Sequence, residues 1–318
     1  MKKFKHVLFI ILLPILLLTE LSSETLKKNG ILDLSDFDLS KQDKPIPLDT
    51  YWEFYWKKFY LSSDFYGETK PRPDIYMEVP STWQNLNNQF FDKQGFATYR
   101  LRVFLHDTNP ISFYTKGMGT NLRLFINGEL AVEVGKPGKT VFESIPNSTP
   151  TSFTYFPKTK DLELIVHISN FHYRMSGFWY PLEIGTPKLI NRKLHYSYFL
   201  EFCLFASMFM MGLYHIGIYS NRRQALEALY FGLFCLIFAL RTLVLGEKFL
   251  PSYFEGMPWE LTLKIEYLSF YLGLPIFMFY YLHLFKQINY PKFIYFIGAM
   301  AALFFSFRSF WYFFLLHP

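Results

Sequence analysis

The stretch Asn170–Tyr180, NFHYRMSGFWY, holds the densest group of side chains with chemistry to offer: His172, Tyr173, Arg174 and Trp179. A guanidinium takes a carboxylate through paired N–H bonds, and phenol and indole rings offer a flat apolar face with a polar rim. Together they suit a sugar or a small carboxylate. The residues before them, DLELIVHISN, alternate as a strand does, so the group falls on the following loop, where binding residues concentrate on a rigid scaffold. His167 and His172 are near enough in sequence to suggest a metal, but one sits on the strand and the other in the loop, and both read as structural. The HExxH pair, the phosphate loop and the nucleophile elbow are absent, GKPGK lacking both the spacing and the hydroxyl of a phosphate loop. No catalytic residue, metal or cofactor is expected, and the chain reads as no enzyme.

A second group is defined by where it sits. Glu201, Arg241, Glu266 and Arg308 lie within apolar runs, where ionisable side chains are rare and costly. From about Tyr196 onward, runs of roughly twenty apolar residues recur, each long enough to cross a bilayer. By length they give four spans, 197–219, 225–245, 265–285 and 293–313. In that layout the four charges share one level, within roughly 6 Å of the outer boundary. Two readings stay open: a transmembrane polar cluster that couples ligand binding to helix movement, or long side chains that each snorkel to the interface. Gly298 and Ala302 would bring the fourth span close to a neighbour, and Gly273 with Pro275 would bend the third.

These spans need elements to position them. Of 318 residues 51% are hydrophobic and only 18% charged, an excess concentrated after Tyr196, so a water-soluble part and a membrane part stand in series. The opening MKKFKHVLFIILLPILLLTELSSE joins Lys2, Lys3 and Lys5 to about twelve apolar residues and a small polar end, the pattern of a secretory signal peptide over residues 1–23. Residues 24–190 are then an exported domain, and 191–318 the membrane region. Arg222 and Arg223 fall in the first short loop and Lys286 and Lys292 in the second, which places both loops inside and runs the first span inward. Cys203 and Cys235 both lie in spans, so the exported part is held by a core and not by disulfides. The net charge of +6 is scattered, with no basic block, which speaks against nucleic acid.

The exported part reads as β structure. In TYRLRVFL, Tyr99, Leu101, Val103 and Leu105 fall on one face and Arg100 and Arg102 on the other. LRLFINGELAVEV carries Asn127-Gly128 between two β-rich runs, a pair suited to the two positive φ values of a type I′ hairpin. Leu162, Leu164, Val166 and Ile168 repeat the inward pattern. Trp52, Phe54 and Trp56 alternate on one face, with Trp83 beyond, and such alternation favours core packing over sugar stacking. Several strands without helices between them imply a two-sheet sandwich or jelly roll.

DTYWEFYW, VPSTW, GFATYRLRVFL, LFINGELAVEVG and LELIVHISNF, in that order, resemble the galactose-binding-like jelly roll attached to family 2 glycoside hydrolases. The same order followed by GFWYPLEIGTP and apolar spans resembles more closely the bacterial seven-transmembrane receptors with diverse intracellular signalling modules, the 7TMR-DISM family. The resemblance covers most of residues 30–318. It implies an all-β jelly-roll sandwich outside, an all-α multi-pass transmembrane bundle, and a cytoplasmic kinase, cyclase or phosphatase module. Against that pattern the sequence stops within the fourth span, so a C-terminally truncated receptor is expected, its output module missing or separate. The glycosidase likeness covers only a non-catalytic module. Asn147-Ser148-Thr149 has the form of a glycosylation acceptor, which in a chain of bacterial aspect is coincidence.

The expected function is that of a receptor or sensor in the bacterial inner (cytoplasmic) membrane. Its jelly roll would bind a carbohydrate or other small solute and bias the transmembrane helices. The expected partners are the lipid bilayer, that solute, a second copy in a dimer, and the signalling module. For the loop 172–179 an alternative stays open, that it rests on the membrane surface or caps the spans. For the whole chain the alternatives are a membrane-anchored carbohydrate-binding or carbohydrate-active envelope protein, and a transporter component. Charges near mid-membrane and inverted repeats, which the last would need, are missing from the sequence.

Overall fold

The computed structural model describes residues 27–67, 69–83, 91–254 and 256–285. The signal-peptide stretch, the fourth span, Arg308, Gly298 and Ala302 lie outside the described residues. Fourteen strands make up the first part: β1 Lys27–Lys28, β2 Ile31–Leu34, β3 Ile46–Pro47, β4 Tyr51–Trp56, β5 Ile75–Glu78, β6 Ser81–Thr82, β7 Gly95–Leu105, β8 Ile111–Thr115, β9 Leu122–Ile126, β10 Glu129–Val134, β11 Thr151–Tyr155, β12 Asp161–Asn170, β13 Gly177–Phe178 and β14 Glu183–Gly185. One sheet runs β1-β2-β7-β12-β9-β10, with β4 paired to β5 and to β7; the second runs β11-β8-β14-β3. All pairings are antiparallel except β2 with β7. Two facing sheets of this kind make a jelly-roll sandwich.

Its core lies between the sheets. Tyr99, Leu101 and Val103 of β7 and Leu162, Leu164, Val166 and Ile168 of β12 are fully buried there with Phe113 and Ile184 from the second sheet. Asn127 and Gly128, at φ of 49° and 81°, turn the hairpin from β9 to β10. Trp52, Phe54 and Trp83 are buried among core rings, Phe54 standing edge-on to Tyr99 at 5.0 Å. They are packing residues, as the alternation predicts.

Two strands are buried on both faces. The outer face of β12 carries Glu163, Ile165 and His167, covered by a smaller cluster of Tyr55, Phe65 and Ile165. There Arg100 bridges Glu53 and Glu163 at 2.9 and 2.7 Å. The outer face of β8 carries Ser112 and Tyr114, also buried, and what covers Tyr114 is the membrane part of the chain.

Among the described residues four helices follow: α1 Pro187–Asn221, α2 Leu226–Val244, α3 Phe249–Tyr253 and α4 Trp259–Leu284. The first starts at Pro187, ahead of the span expected from Ser197, and one residue separates it from the last strand, which ends at Gly185. The cause is local: the Thr186 hydroxyl accepts the Leu189 N–H and Pro187 occupies the first helical position, where its missing N–H costs nothing. Helices α1, α2 and α4 are each long and apolar enough to cross a membrane. Helix α2 packs against both α1 and α4. Where it meets α1, Gly212 and Gly232 face each other, and a Cβ on Gly212 would lie 3.1 Å from the Gly232 carbonyl. Gly273, read in the sequence as part of a bend with Pro275, is a contact point: a Cβ there would stand 2.6 Å from the Phe238 ring.

Candidate functional site

The site is the junction between sandwich and helices, and its centre is the turn Leu245–Lys248 that follows α2. Gly246 has a φ of 61°, and a Cβ on it would collide with Glu201 Oε1. The missing side chain lets that oxygen accept the Glu247 N–H at 2.7 Å. Glu247, 1% exposed, turns its carboxylate to the sandwich, where it accepts the Tyr114 hydroxyl and lies 3.7 Å from Lys116 Nζ. Burial and the Glu247 bond both raise the Tyr114 pKa, so the phenol keeps its proton and donates.

Lys248 follows with a φ of 51°, a left-handed conformation that costs a non-glycine residue roughly 1 kcal/mol. The strain carries its ammonium onto the buried Ser148, to the carbonyl at 2.8 Å and to Oγ at 2.7 Å. Trp259 Nε1, at the start of α4, also donates to Ser148 Oγ, at 3.3 Å. Burial lowers the Lys248 pKa to about 8, against a smaller pull upward from Glu266.

From the other side comes the loop after β12. Asn170 holds it, its Nδ2 donating to the Tyr173 carbonyl at 2.8 Å and its Oδ1 accepting the Tyr173 N–H at 3.1 Å. Tyr173 then meets α4, hydroxyl to hydroxyl with Tyr267 at 3.2 Å and edge-on to Trp259 at 6.1 Å. Its other neighbour is Trp179, 5.4 Å between ring centres, which lies over Gly119 so closely that a Cβ there would collide with the indole. A cleft of 440 Å³ opens between these parts, lined among others by Ser81, Thr82, Lys116, Ser148, Tyr173, Trp179, Lys248, Trp259 and Glu266. Size and lining suit one small polar solute with a ring face.

The structure sorts the candidates of the sequence. Tyr173 and Trp179 line the cleft; His172 and Arg174 do not, Arg174 being exposed and His172 half-buried with burial lowering its pKa. The loop lines the cleft through Tyr173 and Trp179 and meets α4 through Tyr173. Of the four charges within the apolar runs, Arg308 lies outside the described residues; Arg241 donates to the Glu266 carbonyl and to Ser269 Oγ at 3.0 Å, and Glu201 accepts the Glu247 N–H of the turn before Lys248. Arg241 thus ties α2 to α4 through a backbone oxygen and a hydroxyl. Lys116, Ser148, Glu247, Lys248 and Trp259 carry no mark in the sequence that sets them apart as site residues. Among the described residues no group of His, Cys, Asp or Glu is placed to hold a metal ion.

Residues 197–318 match the family described as 7TM diverse intracellular signalling. That match covers the membrane segment alone. With the three apolar helices α1, α2 and α4 it supports a multi-pass membrane protein of sensor or receptor type. No curated protein matches the chain. Among solved structures it is similar to a GH2 beta-galacturonidase from Eisenbergiella tayi, at 14% identity over 45% of this chain and 24% of that one, with a TM-score of 0.32. It is also similar to the beta-glucuronidase of Faecalibacterium prausnitzii, at 14% over 45% and 31% with a TM-score of 0.34, and to a putative beta-galactosidase from Bacteroides fragilis, at 19% over 44% and 23% with 0.29. The chain spans less than a third of the length of each. The likeness is one of fold and carries no argument about activity.

Proposed function

We propose that this chain is a receptor of the 7TMR-DISM kind whose sandwich is exported to the outer side of a bacterial inner membrane, with the signal peptide over 1–23 and α1 running inward. A carbohydrate or other small solute enters the cleft between sandwich and helices, alters how the sandwich sits on the turn Leu245–Lys248, and so biases α1, α2 and α4. The bias passes to a cytoplasmic signalling module, and the sandwich and spans perform no catalysis of their own. The observation that carries this reading is that Glu247 and Lys248 reach from a turn between two spans into the sandwich, onto Tyr114 and Ser148. A ligand with differential affinity for two seatings of that turn shifts their populations, which is all that signalling requires. A membrane anchor for an envelope protein needs one span and has no use for such a joint.

The test places spin labels at Phe142 and Tyr253, which are 89% and 70% exposed, after replacing Cys203 and Cys235 with serine. The distance distribution in nanodiscs is expected to shift when a bound solute is present. An unchanged distribution in the presence of a solute shown by calorimetry to bind sinks the coupling.

A further inference from the structure

We infer that the solute taken by the junctional cleft is an acid, a ring-bearing carboxylate of hexuronate size, and that Lys248 is the group that reads its charge. The inference rests on the receptor reading above and specifies its ligand.

The argument starts from the ammonium. Lys248 Nζ has three N–H bonds, of which Ser148 takes two, through its carbonyl and its hydroxyl. No carboxylate among the described residues lies within ion-pair reach of it, Glu266 acting only from a greater distance. The neighbouring cation, Lys116, has Glu247 at 3.7 Å; Lys248 has only neutral oxygens. At neutral pH the group is still protonated, so a partly buried positive charge lines a cleft with a donor to spare. Such a charge is stabilised by an anion that reaches it with an acceptor oxygen.

The rest of the lining limits what carries that anion. Trp179, Tyr173 and Trp259 give ring faces on one side, and the Trp179 N–H has no partner of its own. Ser81 and Thr82 add hydroxyl oxygens to the lining, that of Ser81 donating to the Glu78 carbonyl and left to accept. Rings for a C–H face, hydroxyls for polar edges and one ammonium for one carboxylate describe a sugar acid better than a neutral sugar, which would leave the charge unmet, and better than a polyanion, which Glu266 would repel. Lys116, Glu247, Glu266, Tyr173 and His172 are the other titratable groups around this part of the junction.

The full chain in phosphatidylcholine nanodiscs is titrated with the gluco, galacto and manno hexuronates, each against its neutral hexose, with Trp emission and calorimetry as readouts. The expected result is that at least one acid binds about tenfold or more tightly than its hexose, and that Lys248→Met removes the preference while Lys248→Arg keeps most of it. Equal binding of acid and hexose overturns the inference and leaves the receptor reading in place. Binding of neither by any pair overturns the inference and leaves the receptor reading, which admits other small solutes, to the spin-label test. Discs containing phosphatidylglycerol form a separate arm: if they alter Trp emission and no hexuronate does, the ammonium reads a lipid headgroup and the inference falls. Because acid and hexose are compared on the unmodified chain, the test stands even where Lys248→Met fails to fold.

Discussion

His167 stacks on Phe59 at 4.6 Å and turns Nε2 to the Tyr60 carbonyl at 2.7 Å. A carbonyl only accepts, so Nε2 carries the hydrogen and the ring is neutral, in keeping with a pKa that burial lowers to about 4. The folded ring takes a second proton only below about pH 4, the unfolded one already below 6.5. Between those values the unfolded chain holds more protons, so stability falls as pH drops from 6.5 to 4 and is unaffected by this group outside that window, by up to about 3 kcal/mol in all. Melting curves of the detergent-solubilised chain at pH 4.5 and 7 are expected to show the loss, and His167→Gln to shrink it. Arg100 sets a second expectation: Arg100→Ala leaves the buried Glu163 and the partly buried Glu53 without their cation, at a cost of about 3 kcal/mol in denaturant unfolding. At the junction, Gly246→Ala sets a Cβ against Glu201 and forces a left-handed alanine, so the turn must move. Solute-dependent distance changes between sandwich and α3 are expected to vanish while the sandwich stays folded by near-ultraviolet circular dichroism.

Elements decide how much of this is legible in the sequence. Strands β7 and β12 and the Asn127-Gly128 hairpin are legible because their signals are local: alternation at a period of two, and a turn pair that tolerates positive φ. The spans are legible because a bilayer demands length and apolarity. The onset of α1 is marked too, by Thr186-Pro187, a cap followed by a first-turn proline, but span length by itself starts that helix only near Ser197. The joint is not legible. Ser148 and Lys248 are 100 positions apart and Tyr114 and Glu247 133, and nothing local marks such pairs. Ser148 stands out only as part of a glycosylation pattern, and Glu247 and Lys248 fall between spans, where ionisable residues attract no attention. The glycine contact is half legible: Ala228 and Gly232 have the four-residue spacing of a small-residue face on α2, but Gly212 on α1 has no small residue four positions away to mark it as the partner. Gly232→Leu is expected to part α1 from α2 and lower the apparent melting temperature in detergent, at a cost of roughly 1–3 kcal/mol. A Leu at the lipid-facing Gly217, which meets nothing within 4 Å, is expected to leave the melting temperature unchanged.

For the whole molecule, the sandwich and the helices share one covered surface: Tyr114 lies under the turn of Glu247, and Lys193 of α1 pairs with Glu183 of β14 and stands 5.1 Å over the Tyr114 ring. A solute in the cleft, as proposed, would therefore act on a packed interface and not on a tether. Strand β14 passes into α1 through Thr186 alone, and α1 is 35 residues long, about 50 Å of unbroken helix. Such a rod has an azimuth fixed by the sandwich, since each residue advances it by about 100°. Alanines inserted after Tyr196, within α1 and beyond the turns that pack on the sandwich, should thus give a response that oscillates with their number: one or two turn the far end of α1 to a wrong bearing, and three or four return it close to the original phase.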